Sequence, residues 1–238
     1  MANVTFSKYK DLFETELELL QNPVCATCDV RQDLKHPLLP WLVGSNFLNT
    51  KERIVFIGKP HRGLPGEILA SGIIDPTSEV EGGLWDIHWP YWSYTREIAE
   101  NLYGANAIES IAFTNLIKCT NTDDVDATTP TMARGCISEL QVIWREIEVI
   151  EARTAVFYTY NLYRELLNDI PFALDGTINE VTPADHIIPC RNKMLHWWDR
   201  ICETPWTNRF RILVVGHPER MGKPEYIDLI TKWIQCGQ

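Results

Sequence analysis

Two periodicities organise the apolar residues of this chain. Short continuous runs at 53–59 (RIVFIGK), 108–117 (IESIAFTNLI), 154–160 (TAVFYTY) and 211–216 (RILVVG) read as strands buried on both faces. Between them, spacings of three and four predict helices. Phe6, Tyr9, Phe13, Leu17 and Leu20 mark one over 5–20, which Asn22 and Pro23 end, leaving Cys25 and Cys28 in a loop. Further helices are expected at 91–103, at 131–149 (Cys136, Leu140, Ile143, Trp144, Ile147), over a short stretch at 161–168 and at 224–235. The stretch 170–208 shows no clear period, though a helix over 193–202 fits it. Residues 60–90 are rich in glycine and proline, and a connection of that length inside a domain is usually functional or disordered.

Strands alternating with helices predict a parallel sheet covered on both faces. The expectation is one α/β domain over 1–238, three-layered α/β/α, with a central four-stranded parallel sheet. In such sheets ligands bind beyond the carboxyl ends of the strands, which singles out 58–63, 114–119 and 216–220.

Composition narrows the class. No apolar run is long enough to span a bilayer, and the start MANVTFSKYK is too polar for a signal peptide, so the cytoplasm is the expected compartment. A formal net charge of -10 argues against diffuse adhesion to nucleic acid and leaves room only for a local basic face. Lys59, Arg62, Lys118, Arg134, Arg220 and Lys223, at strand ends and loops, could supply one. Trp85, Trp89, Trp92, Trp197 and Trp198 stand in polar contexts and read as amphipathic rings capping a core.

Seven cysteines without a secretion signal point to thiolate ligands and free thiols over disulfides. Cys25 and Cys28 have two residues between them, 90 residues then intervene, and Cys119 and Cys136 follow with 16 between them. A close pair and a distant wider pair are what one metal centre needs to draw four sulfurs together across a long loop. Cys190, Cys202 and Cys236 have no paired spacing and read as buried or free thiols.

In chain order, the motifs are the Cys25/Cys28 pair, Ile57-Gly58-Lys59-Pro60-His61-Arg62-Gly63 after the first strand, and Pro90-Tyr91 opening a helix. Thr114-Asn115-Leu116-Ile117-Lys118-Cys119 closes the second strand, Cys136 follows, and His217-Pro218 closes the last. This series resembles the uracil-DNA glycosylase superfamily, and within it the family 4 branch that carries a [4Fe-4S] cluster. The resemblance covers most of the chain.

It implies hydrolysis of the N-glycosidic bond of a base extruded from DNA, single- or double-stranded, by a monomer that leaves an abasic site. It implies a structural [4Fe-4S] cluster on Cys25, Cys28, Cys119 and Cys136; a four-sulfur zinc site stays open as the other assignment. Tyr91 corresponds to the aromatic that stacks on the base, and Asn115 to the amide that reads the pyrimidine edge. His217 corresponds to the residue that stabilises the departing base. Gly58, Lys59, Pro60 and Arg220 fall among the substrate contacts.

The first motif departs from the family pattern Gly-Glu-Ala-Pro-Gly. Lys59 stands in place of the glutamate, and a cation cannot act as the base that activates water. His61 is the nearest group able to take the proton, and Glu67, Asp75 and Asp86 could return a carboxylate. The altered motif and the unusual segment 64–89 leave two substrate classes open: uracil, for base-excision repair, or a modified pyrimidine such as a modified cytosine of phage DNA, for antiviral defence. A non-catalytic DNA- or nucleotide-binding module of the same fold is the alternative. An electron-transfer role fits worst, because tight repeats of closely spaced cysteines are absent.

Overall fold

A computed structural model describes residues 21–29, 42–59, 85, 88–119, 128–159, 187–190, 193–219 and 221–236. Along the chain run α1 (Pro23–Thr27), β1 (Leu42–Val43), β2 (Ile54–Gly58), α2 (Pro90–Tyr103), β3 (Ile111–Asn115) and α3 (Pro130–Ala133). A π-helical stretch, Arg134–Glu139, leads to α4 (Val142–Val149), then β4 (Thr154–Phe157), β5 (Ile187–Cys190), β6 (Lys193–Thr204), β7 (Thr207–Val215) and α5 (Lys223–Gln235). Proline stands in the first turn of α1, α2, α3 and α5, where a missing N–H costs nothing.

The four expected strands are present as β2, β3, β4 and β7, and they are mutually parallel: β2 pairs with both β3 and β4, and β4 pairs with β7. The sheet is larger than the expected four-stranded parallel one, and it is mixed. Its order is β1-β3-β2-β4-β7-β6-β5, with β1, β6 and β5 joined antiparallel. Successive side chains of the parallel strands enter opposite layers, as their unbroken apolar runs require. Val55, Ile57, Ala112, Phe157 and Val214 pack on the side of Ile137, Ile143 and Ile147. Ile54, Phe56, Phe113, Val156 and Val215 pack with Ile98 of α2 and Ile227 and Ile230 of α5. Helices thus cover both faces in an α/β arrangement.

Three other expectations are corrected. Residues 193–202 belong to a strand: β6 pairs antiparallel with β7, sending Leu195 and Trp197 into one layer and Trp198 and Cys202 into the other. The single helix expected at 131–149 is three pieces, broken by the π-helical stretch and by Gln141 at φ 52°. Cys25 lies in the turn of α1, capped by the Asn22 side chain at 2.9 Å from the Val24 N–H, and not in a loop. The helices expected at 5–20 and 161–168 lie outside the described residues.

Of the five tryptophans read as core caps, Trp92, Trp197 and Trp198 are buried, Trp85 is half-buried and Trp89 is exposed. No described helix is long and apolar enough to cross a membrane.

Chain order fixes where the sheet opens. From β2 the chain moves to β3 on one side, then crosses back to β4 on the other. The crevice at such a reversal lies beyond the carboxyl end of the first strand, and here that end is Gly58.

Candidate functional site

Gly58 and Asn115 are register partners at the ends of β2 and β3, and the Leu116 N–H donates to the Gly58 carbonyl at 2.9 Å. A methyl group on Gly58 would lie 2.7 Å from Asn115 Oδ1 and 3.0 Å from Cε2 of Tyr91. Glycine is what lets the amide and the ring close over the strand end, and a Cβ there would force both to shift. Three of the sequence-predicted residues are therefore one cluster.

Tyr91 sits in the first turn of α2 and is backed by other rings. Its centroid is 5.5 Å from Tyr158, edge to face, 6.2 Å from Phe113 and 5.0 Å from Trp92. Trp85 meets Phe113 edge-on at 5.9 Å, and Arg96 of α2 donates to the Trp85 carbonyl. Burial, and next the nearby Tyr158, raise the Tyr91 phenol well above its ordinary range. Burial does the same to Tyr158, whose hydroxyl exchanges a 3.0 Å hydrogen bond with Thr95 Oγ1. Both phenols are neutral at any working pH, so the wall is aromatic and uncharged. Sequence reading missed Phe113 and Tyr158, whose only signal is their place beside the ends of predicted strands.

His217 follows β7 at the same carboxyl edge, across β4 from β2. With strands about 4.8 Å apart, three spacings separate β3 from β7, roughly 14 Å of sheet edge between the Asn115 and His217 backbones. The Glu219 N–H donates to His217 Nδ1 at 3.2 Å. A ring nitrogen that accepts carries no proton, so in the neutral ring the proton resides on Nε2. Lys59 is described and half-buried. Pro60, His61, Arg220, Glu67, Asp75 and Asp86 lie outside the described residues.

The four cysteines lie in or against one apolar layer, on the opposite side of β3. Cys119 is buried, Cys25, Cys28 and Cys136 are half-buried against the same apolar layer, and none of the four is in a disulfide. Gly135 permits close packing here: a methyl there would stand 3.3 Å from Val24 Cγ1, so α1 rests directly on the π-helical stretch. Burial pushes the Cys136 thiol up to about 11, with a further upward push from Cys28 and Cys25 and a downward pull from the Lys118 main-chain N–H and ammonium. The Cys136 sulfur stands within electrostatic reach of those of Cys28 and Cys25; among the described residues, no three His, Cys, Asp or Glu groups are gathered closely enough to hold a metal ion. Of the three remaining cysteines, Cys202 is buried and Cys236 exposed.

Lys118 does not belong to a basic surface, as its strand-end position implied. It is 2% exposed, and its ammonium lies 2.7 Å from Glu146 Oε2, itself 1% exposed. Burial lowers the lysine pKa and raises that of the glutamate, and each partner opposes the other's shift. Lys223 pairs with Glu97 at 2.8 Å on the surface. No family model matches the chain, and no curated protein matches it.

Proposed function

We propose that this chain is a monofunctional DNA glycosylase that hydrolyses the N-glycosidic bond of an extruded pyrimidine. The observation that carries the reading is the closure of Asn115 and Tyr91 over Gly58 at the point where the sheet reverses. An aromatic plane beside an amide suits a single flat heterocycle: the ring stacks on its face, and the amide donates to and accepts from its edge. These are the residues on which the resemblance to family 4 uracil-DNA glycosylases rests, and the α/β fold with a crevice at that edge is compatible with it.

In the proposed reaction, the bond between C1′ and the base nitrogen breaks and its electron pair leaves with the base. Negative charge then gathers on the base carbonyl. His217 is suited to meet it as a neutral donor, because the Glu219 N–H occupies Nδ1 and leaves the proton on Nε2. Water adds to C1′ and gives up a proton. Lys59 cannot accept that proton, and His61 is the proposed acceptor.

Cys25, Cys28, Cys119 and Cys136 are the proposed ligands of a [4Fe-4S] cluster, with zinc the competing occupant. What supports a metal-centred group is the electrostatics at Cys136: burial, and next the nearby Cys28 and Cys25, raise the cost of ionising its thiol, and a cationic core would reverse that. When bound, the group would supply a cross-link between α1 and the chain after β3.

The test is a panel of single- and double-stranded oligonucleotides bearing uracil, hypoxanthine or modified cytosines, scored for alkali-labile abasic sites. Cleavage of uracil DNA supports repair; cleavage restricted to modified cytosine supports defence. The missing glutamate at position 59 favours the second reading, a binding module without catalysis. Oligonucleotide binding with no abasic product from any member of the panel would establish that reading in place of the first.

A further inference from the structure

The proposed reaction makes no use of the most heavily buried ion pair among the described residues, Lys118 with Glu146. Such a pair is poor evidence of stabilisation, because desolvating both charges offsets their attraction, and apolar replacements of similar size do as well or better. Here the cost is compounded. Thr114 and Lys118 both meet the Glu146 carboxylate at Oε2, while Oε1 is buried without a hydrogen-bond partner among the described residues.

The geometry says what the pair holds. The Lys118 ammonium has three protons and three acceptors: Glu146 Oε2 at 2.7 Å, Thr114 Oγ1 at 2.9 Å and the main-chain carbonyl of Asn115. Thr114 spends its own proton on Glu146 Oε2 at 2.7 Å. The carbonyl of Asn115 is thus pinned by Lys118, and the peptide N–H that follows it is pinned by Gly58. With both polar groups of the Asn115–Leu116 peptide held, the backbone from which the Asn115 side chain projects beside Tyr91 is fixed.

The same lysine faces the cysteines. Its main-chain N–H hydrogen-bonds Cys136, and its ammonium acts on Cys136 and Cys119. Glu146 stands on α4, directly after the π-helical stretch that carries Cys136.

We propose that Lys118 and Glu146 form a buried strut that positions Asn115 in the base site and ties that position to the cysteine group. Lys118 is a positioning residue and touches no substrate. The inference rests on the glycosylase reading for its kinetic consequence, but not for its structural one.

The experiment compares the parent with Lys118→Met/Glu146→Leu, Glu146→Gln and, as a packing control in the same helix, Ile143→Val. A single Lys118→Met change would strand a buried carboxylate and confuse folding with function, whereas the double variant removes both charges together. Single-turnover release is measured on a duplex oligonucleotide with one uracil, or with the modified cytosine that the parent cleaves. Visible spectrum and melting temperature are recorded alongside.

The double variant should fold, keep the parent's spectrum and KM within about threefold, and lose about 50-fold or more in kcat, because an unpinned reader costs orientation and not binding. Glu146→Gln keeps an acceptor for lysine and threonine but leaves the ammonium without its countercharge, so it should melt lower than the parent yet lose less than about fivefold in kcat where it is folded. A double variant with the parent's kcat would overturn the strut.

If the parent releases no base, the glycosylase reading falls, and NMR still decides the strut. The Asn115 side-chain amide resonances must then move in the double variant and stay put in Ile143→Val; equal positions in both would refute the proposal.

Discussion

Replacing Gly58 with alanine is the sharpest perturbation of the proposed base site, because it adds one methyl at a known place. Nothing in the backbone forbids it: Gly58 lies inside a strand, and its pairing needs no left-handed conformation. The cost lies in what the new Cβ meets, at 2.7 Å from Asn115 Oδ1 and at 3.0 and 3.2 Å from Cε2 and Cζ of Tyr91. Contacts are comfortable at about 3.5 Å, so the amide must retreat by roughly 0.8 Å and the ring by roughly half an ångström.

The atoms met belong to two side chains and not to backbone, so the overpacking penalty belongs at the low end of its range, about 1 kcal/mol. For a chain of this length, that lowers the melting temperature by about 2–4 °C. The catalytic effect should be larger. A misplacement of about 1 Å costs on the order of a hundredfold, so these shifts predict a loss of roughly ten- to fortyfold in kcat, with the cysteine group's spectrum unchanged. The assay is single-turnover base release beside a thermal melt. Activity within about twofold of the parent would refute the claim that Asn115 and Tyr91 act together over Gly58, since shifts of this size must then be immaterial.

Other expectations follow from the same geometry. Asn115→Ala should lower base release about 10²–10³-fold while oligonucleotide binding persists, checked by gel shift and abasic-site yield, since the loss is of one preorganised group. Lys118→Met alone should cost about 3–5 kcal/mol by chemical denaturation, and adding Glu146→Leu should restore most of it, because the penalty is the stranded carboxylate. Cys136→Ser should lower bound metal, measured by elemental analysis and the visible spectrum, and should lower thermal stability with it. Gly135→Ala should weaken the seating of α1 on the π-helical stretch by about 1 kcal/mol or less, read as faster metal loss to a chelator, since among the described residues Val24 alone must give.

Strands β2, β3, β4 and β7 were legible because parallel strands buried on both faces are written as unbroken apolar runs. Strand β6 was not legible. Trp197 and Trp198 go to opposite layers, and Asp199 and Arg200 interrupt the alternation, so helical spacing fitted as well. Strand β1 has two residues and no period to read. The break at Gln141 was hidden because Leu140, Ile143 and Ile147 keep a helical spacing through it.

Within the site, Asn115, Tyr91 and Gly58 were found from strand ends and motif order. Lys118 was seen and misplaced: lysines are almost always solvated, and the partner that buries this one lies 28 residues downstream. The aromatic wall went unnoticed for a similar reason. Phe113 and Tyr158 look like ordinary strand residues until the sheet order brings them beside Tyr91.

The most direct measurement is a crystal structure of the His217→Ala variant bound to an oligonucleotide that carries the base released by the parent. The account predicts that base out of the stack, its face on the Tyr91 ring and its edge within hydrogen-bond distance of the Asn115 amide. A base still stacked in the DNA, or seated on another face of the sheet, would contradict it.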